Sequence, residues 1–367
     1  MRLRLNRGFT LVELMVAVAL AGITGLVVLQ VLSNYQSRKQ LASGRNDAQV
    51  SASVGLFAME REIRMAGAGF TLPTGMLCNA GINIAYNGVT VSNGAPVRPI
   101  RINDGGTAPD SIDVLRGDSD FGSAPTTVLQ LMASPTQQIV VDANMNLAAG
   151  DLIVAGAYDG SKVCTLMQVS ANPTANSNAW NLMHASGTGL PYNTASPALL
   201  FTTAVSYDVR DIVMNLGTHG WRRFSVVCND GNRPSGSNNC DLASYDLLAV
   251  AAPTLATVQS ESAQVIDLQA QYGIAPAGSQ TVDTWVNATG GWAAPAEADQ
   301  RRIKAVRVSI VARGARDAQT VSPASLTLWN DGNGNVKTRS LSDEERHYRY
   351  QILTVIVPLI NTIWANV

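Results

Sequence analysis

The chain has 367 residues, enough for a membrane helix plus one large or two modest domains, and its 46% hydrophobic content supports a buried core. Its formal net charge is −1, and that balance argues against nucleic-acid binding, which needs a basic face. Lysine is scarce (Lys39, Lys162, Lys304 and Lys337) while Gly, Ser, Thr and Asn abound, which suits a loop-rich β protein outside the cytoplasm.

Residues 1–8 carry Arg2, Arg4 and Arg7 and no acid, and an apolar run follows over 9–32 whose only charge is Glu13. As a helix this run is about 36 Å long, enough to cross a hydrocarbon layer of about 30 Å with some tilt. The flanking arginines hold the N-terminus in the cytoplasm, so everything after Leu32 is exported. A secretory signal is cut after its apolar stretch; here the small residue, Gly8, stands before it. Loss of 1–8 leaves 23 basic against 27 acidic residues, a charge of about −4. A carboxylate as deep as Glu13 is costly in a membrane and usually functional, the plainer reading being a snorkelling or protonated side chain in an ordinary signal anchor.

Residues 8–17 read GFTLVELMVA. At Gly8, Phe9, Thr10, Leu11, Glu13, Leu14 and Ala17 this resembles the type IV pilin-like family, which includes minor pilins and type II secretion pseudopilins. The resemblance implies that a prepilin peptidase cuts between Gly8 and Phe9 and N-methylates Phe9. It also implies that Glu13 is neutralised in a filament by the N-terminal amine of a neighbouring subunit.

Helical periodicity continues over 33–68: Leu41, Ala48, Ala52, Leu56, Met59, Ile63 and Ala66 form one apolar stripe, with Arg45, Asp47, Gln49, Arg61 and Arg64 mostly off it. Glu60 and Arg64 are spaced for an i,i+4 pair. The stripe is expected to pack on the chain's own head, with partner helices as its second use. Gly22, Gly25 and Gly44 are weak points of the helix, which should end near Gly67 and Gly69, ahead of Pro73.

Beyond the helix, 69–367 reads as an exported β-rich globular part, as one domain or two subdomains. Strands are expected at 111–115, 138–142, 151–155, 163–169, 199–209 and 222–228. At 303–313 the alternation of Val306, Val308 and Ile310 with Arg307, Ser309 and Val311 has the period of a half-buried strand. At 350–357 apolar residues on both faces suggest an interior strand, stopped by Pro358. The fold class is α+β: a long N-terminal helix, transmembrane then amphipathic, on a mostly antiparallel head.

Cys78, Cys164, Cys228 and Cys240 all follow the membrane helix, in an oxidising compartment, so two disulfides are expected. Three connectivities are open; we favour Cys228 with Cys240, closing a polar loop, and Cys78 with Cys164 by elimination. No Cys-x-x-Cys pair supports the rival metal reading, and no cofactor is expected. No nucleophile elbow, His-Glu-x-x-His helix, P-loop or dinucleotide fingerprint occurs, and the only histidines are His184, His219 and His347. Asp331, Asn333 and Asn335 imitate a calcium loop, but Val336 and Ser342 stand where Gly and Glu are needed, so a turn over 330–335 is the better reading. Trp221, Trp285, Trp292 and Trp329 are expected in the core, with interface anchoring as their second use.

EIRMAGAGF at 62–70, LQAQYG at 268–273 with Trp285 beyond, IKAVRVSIVAR at 303–313, and HYRY at 347–350 with VIVPLIN at 355–361 are together similar to the PilW group of minor pilins. That resemblance implies a binding protein, not an enzyme. Its partners would be other minor pilins, the major pilin, a tip adhesin, the prepilin peptidase and the inner-membrane assembly platform. It would sit in the inner membrane before assembly and at the pilus tip afterwards. A type II secretion pseudopilin of the J group and a signal-anchored periplasmic enzyme or binding protein are the alternatives.

Overall fold

The structure is a computed structural model that describes residues 10–72, 75–119, 124–132, 134–203, 206–218, 220–229, 239–317, 319–331 and 335–361. One unbroken helix, Leu11–Arg64, leads the chain. Its first part, Leu11–Gln36, is apolar, long enough to span a membrane and buried against nothing. Its last part lies on the head through Ala48, Ala52, Leu56, Met59 and Ile63, each at most 8% exposed. This is the stripe read from periodicity, and it faces the chain's own core. The side chain of Leu41 lies outside the described residues.

The helix closes at Met65, and Gly67 and Gly69 follow with φ of +81° each, a backbone conformation that glycine adopts without strain. Gly44 has a different reason to lack a side chain. A Cβ there would stand 2.4 Å from the Ala315 Cβ, so glycine lets the helix touch the end of the strand Ile303–Arg316.

Two sheets share the helix's core. The four-stranded one runs Thr284–Val286, Val265–Ile274, Ile303–Arg316, Tyr348–Pro358, entirely antiparallel. The five-stranded one runs Gln259–Ala263, Cys240–Asp246, Trp221–Cys228, Ser111–Leu115, Ile100–Asn103. Val308, Ile310, Leu268, Phe224 and Leu242 meet the helix stripe between them. A six-stranded sheet around Leu152–Gly156 and Ile212–Gly217 builds a second core with Phe70, Leu77 and Leu216. It includes one parallel pair, Cys164–Gln168 beside Ile82–Tyr86.

Three strand readings need correction. Ile303–Arg316 is buried on both faces over its first eleven residues, because the helix covers one side and the hairpin Ser325–Asn330/Val336–Ser340 the other. Tyr348–Pro358 is an edge strand, not an interior one. Its two-sided apolarity comes from the same two covers: Leu353, Val355 and Val357 pack toward the helix, Tyr350 and Ile352 toward the hairpin. No strand forms at 199–209 within the described residues. Pro197 instead opens a short helix, Pro197–Leu200, and the strand begins only at Ile212.

Candidate functional site

The N-terminal end of the helix is built by two residues. Thr10 caps it, its hydroxyl accepting the Glu13 N–H, while the Glu13 carboxylate accepts the Thr10 N–H at 3.0 Å and the Thr10 hydroxyl at 2.9 Å. This reciprocal box satisfies two otherwise orphaned donors. Glu13 therefore enters the apolar span with its carboxylate held at the start of the helix. Gly8 and Phe9 lie outside the described residues.

Farther along, the helix carries a feature that the single-stripe reading missed. Val50, Val54 and Phe57 are 54%, 50% and 69% exposed and lie on the face turned away from the head. Their spacing of four then three makes a second, outward apolar line. The spacing is present in the sequence, but a stripe facing the core is by itself sufficient to explain a helix.

The helix is locked to the head near its end by Glu62, only 3% exposed. Arg116 donates to it twice, Nε to Oε2 at 2.6 Å and Nη2 to Oε1 at 2.9 Å. Burial alone would raise the Glu62 pKa, but the Arg116 guanidinium outweighs it and holds the carboxyl below its usual value.

Two of the segments resembling PilW, LQAQYG and IKAVRVSIVAR, meet with Trp285 at one side chain. Arg307 is 6% exposed and lies between two indole rings, 4.7 Å from the Trp285 centroid and 4.9 Å from that of Trp329. Its guanidinium forks onto Asp331 at 2.6 and 2.7 Å and donates also to the Gln271 side-chain oxygen. Asn335 bridges Asp331 at 2.9 Å and Gln271. A buried guanidinium needs such partnering, which here falls on its two terminal nitrogens. Asp331 and Asn335, the described members of the calcium-like series, are thus committed to Arg307; Asn333 lies outside the described residues. Asp331 is correspondingly held below the usual carboxylate range by its hydrogen bonds from Arg307.

Of the remaining tryptophans, Trp221 packs on the second core and Trp292 on the first, with the Arg302 guanidinium 5.6 Å from the Trp292 centroid. His184 is buried with its Nε2 on the Gln137 carbonyl, His347 lies in a short turn after Glu345, and His219 lies outside the described residues. Among the described residues no three His, Cys, Asp or Glu side chains gather as a metal site. Cys78 is bonded to Cys164, with Cα atoms 5.4 Å apart, and Cys228 to Cys240, which face each other across neighbouring strands.

The prokaryotic N-terminal methylation motif matches residues 3–29, and the family described as Type IV Pilus-assembly protein W matches residues 244–361. No curated protein and no solved structure matches the chain significantly. The first match covers Glu13 and the exposed apolar helix. The second takes in the four-stranded sheet with the whole Arg307 cluster. That motif at one end and that family's segment at the other support a PilW-like pilin of the type IV pilus.

Proposed function

We propose that this pilin is a minor subunit which joins other minor pilins in a short complex that primes pilus assembly and sits at the tip. A prepilin peptidase removes residues 1–8 and methylates Phe9. Until then the chain sits in the inner membrane with its N-terminus in the cytoplasm, and the assembly platform draws it into the filament. There Glu13 meets the N-terminal amine of a neighbour, since an unpaired charge among apolar helices is strongly disfavoured. Its work is binding to the major pilin, the other minor pilins and a tip adhesin.

The observation that carries this reading is the two-part helix. It is bare over Leu11–Gln36 and seated on the head beyond Ala48, while Val50, Val54 and Phe57 remain uncovered. A helix shaped this way leaves its first part and one outer line for neighbouring subunits. The test is the intact mass of the protein from sheared surface filaments, beside that from membranes of a peptidase-deficient strain. The expected filament form lacks Met1 to Gly8 and carries one added methyl. An uncleaved chain that never enters filaments overturns the proposal.

A further inference from the structure

Between Ile303 and Ala312, the stretch paired with Val265–Ile274, one residue of the strand Ile303–Arg316 lacks a register partner. Ala305 pairs with Gly273 and Ile303 with Ile274, which leaves Lys304 as the extra residue of a bulge. Bulges of this kind redirect a side chain out of the regular ladder. Lys304 is 3% exposed, and its ammonium makes no hydrogen bond or ion pair to any described residue. Burial accordingly pulls its pKa down. Its stem is packed away while the ammonium opens to solvent, with no protein carboxylate among the described residues to neutralise it.

Lys304 lines a cavity of about 370 Å³, together with the turn 276–280 and with Glu297, Arg301 and Arg302. Two of its three cations are already matched: Arg301 pairs with Glu297, and Arg302 with Asp299 at 3.0 Å. One positive charge is left over. The turn is fixed over the cavity by reciprocal bonds, Ala275 N–H to the Arg302 carbonyl at 2.9 Å and Arg302 Nε to the Ala275 carbonyl at 3.2 Å.

The position of the cavity follows from the helix. Gly44 touches Ala315 at one end of the strand, whereas Lys304 stands at the other, where the Asn361 side chain reaches the Ala66 carbonyl at 3.2 Å and Leu359 N–H the Lys304 carbonyl at 2.9 Å. From Gln36 to Arg64 the helix advances about 40 Å, so the cavity lies beside the C-terminal end of the helix, well away from its apolar part.

We propose that this cavity is a binding site for a carboxylate, with Lys304 as the ion-pairing group and Arg301 and Arg302 as its charged rim. A single surplus charge suits a monoanion, and the volume suits a ligand of sugar or short-peptide size.

The test is titration calorimetry of the detergent-solubilised full-length protein with two acids, N-acetylneuraminate and N-acetyl-alanyl-alanine, each beside its methyl ester. At least one acid is expected to bind saturably, and its identity distinguishes an acidic sugar from a peptide C-terminus. The ester and the Lys304→Met protein should each bind at least about tenfold more weakly, as expected when one half of a charged pair is removed. The Lys304→Met chain should melt no lower than the parent, because the charge it loses has no partner among the described residues and the apolar stem is kept. Absence of saturable binding by both acids, or equal binding by the esters or by Lys304→Met, overturns the assignment.

Discussion

The Tyr272 hydroxyl oxygen accepts the backbone N–H of Ile102 at 2.6 Å, joining two sheets that have no strand in common. Ile102 lies in the outermost strand of the five-stranded sheet, so its N–H would otherwise face the interior unpaired. Burial pushes the Tyr272 phenol up to about 12, so it stays protonated at any working pH. Tyr272→Phe should lower stability by about 1–3 kcal/mol, the cost of leaving a buried donor unmade. Thermal unfolding of the two proteins checks this, and an unchanged midpoint would contradict it.

Arg307 makes a second test of the same sheet. Lysine cannot reproduce a fork onto Asp331 while filling the space between Trp285 and Trp329. Arg307→Lys should therefore cost at least about 2 kcal/mol, in the range found when one buried ion-pair partner is damaged. Denaturant titration followed by tryptophan fluorescence reads both the loss of stability and the altered stacking.

Asp110 gives the fold a pH dependence. It is buried, accepts the Gly105 and Ala270 N–H groups at 2.8 Å each, and burial raises its pKa from 3.8 to about 7. The folded chain thus holds a proton that the unfolded chain releases. This contribution is complete below about pH 4, declines as pH rises to about 7, and is level above. Asp110→Asn should be less stable at low pH, where its amide faces one N–H as donor to donor, and should lack the decline between pH 4 and 7. Chemical denaturation at a series of pH values compares the two slopes.

Phe57, exposed on the outward line of the helix, separates folding from assembly. Phe57→Asp should change stability by less than about 0.5 kcal/mol, as surface substitutions do, yet reduce recovery in sheared filaments. Wild-type recovery in filaments would assign the outward line no part in assembly.

The two disulfides close loops of very different length, with separations of 86 and 12 residues. On chain-entropy grounds the Cys78–Cys164 bond contributes about 4.5 kcal/mol and the Cys228–Cys240 bond about 3. Cys78→Ala/Cys164→Ala should therefore lower the melting temperature more than Cys228→Ala/Cys240→Ala.

The helix was legible because its stripe recurs with a regular period and each buried position, from Ala48 to Ile63, lies within a few residues of the next. Ladder order was not. Apolar residues on both faces of 350–357 report that both faces are covered, and they carry no information about which edge is free. The Arg307 cluster was equally hidden, because Gln271, Trp285, Arg307, Trp329 and Asp331 meet only once three strands and a hairpin are in register. A lone charged residue in an alternating strand reads as solvent-facing until its partners are known. Lys304 was concealed in the same way, since a one-residue bulge leaves no mark on hydropathy.

The seating of the helix from Gly44 to Ala66 has a mechanical consequence. A pull on the bare N-terminal part acts along the helix axis, and that axis runs along the head instead of ending on it. The load is then carried in shear, by many side chains at once and by the Glu62–Arg116 bridge at the far end. Nothing can be peeled away one contact at a time. Such a subunit should withstand traction best along the helix axis.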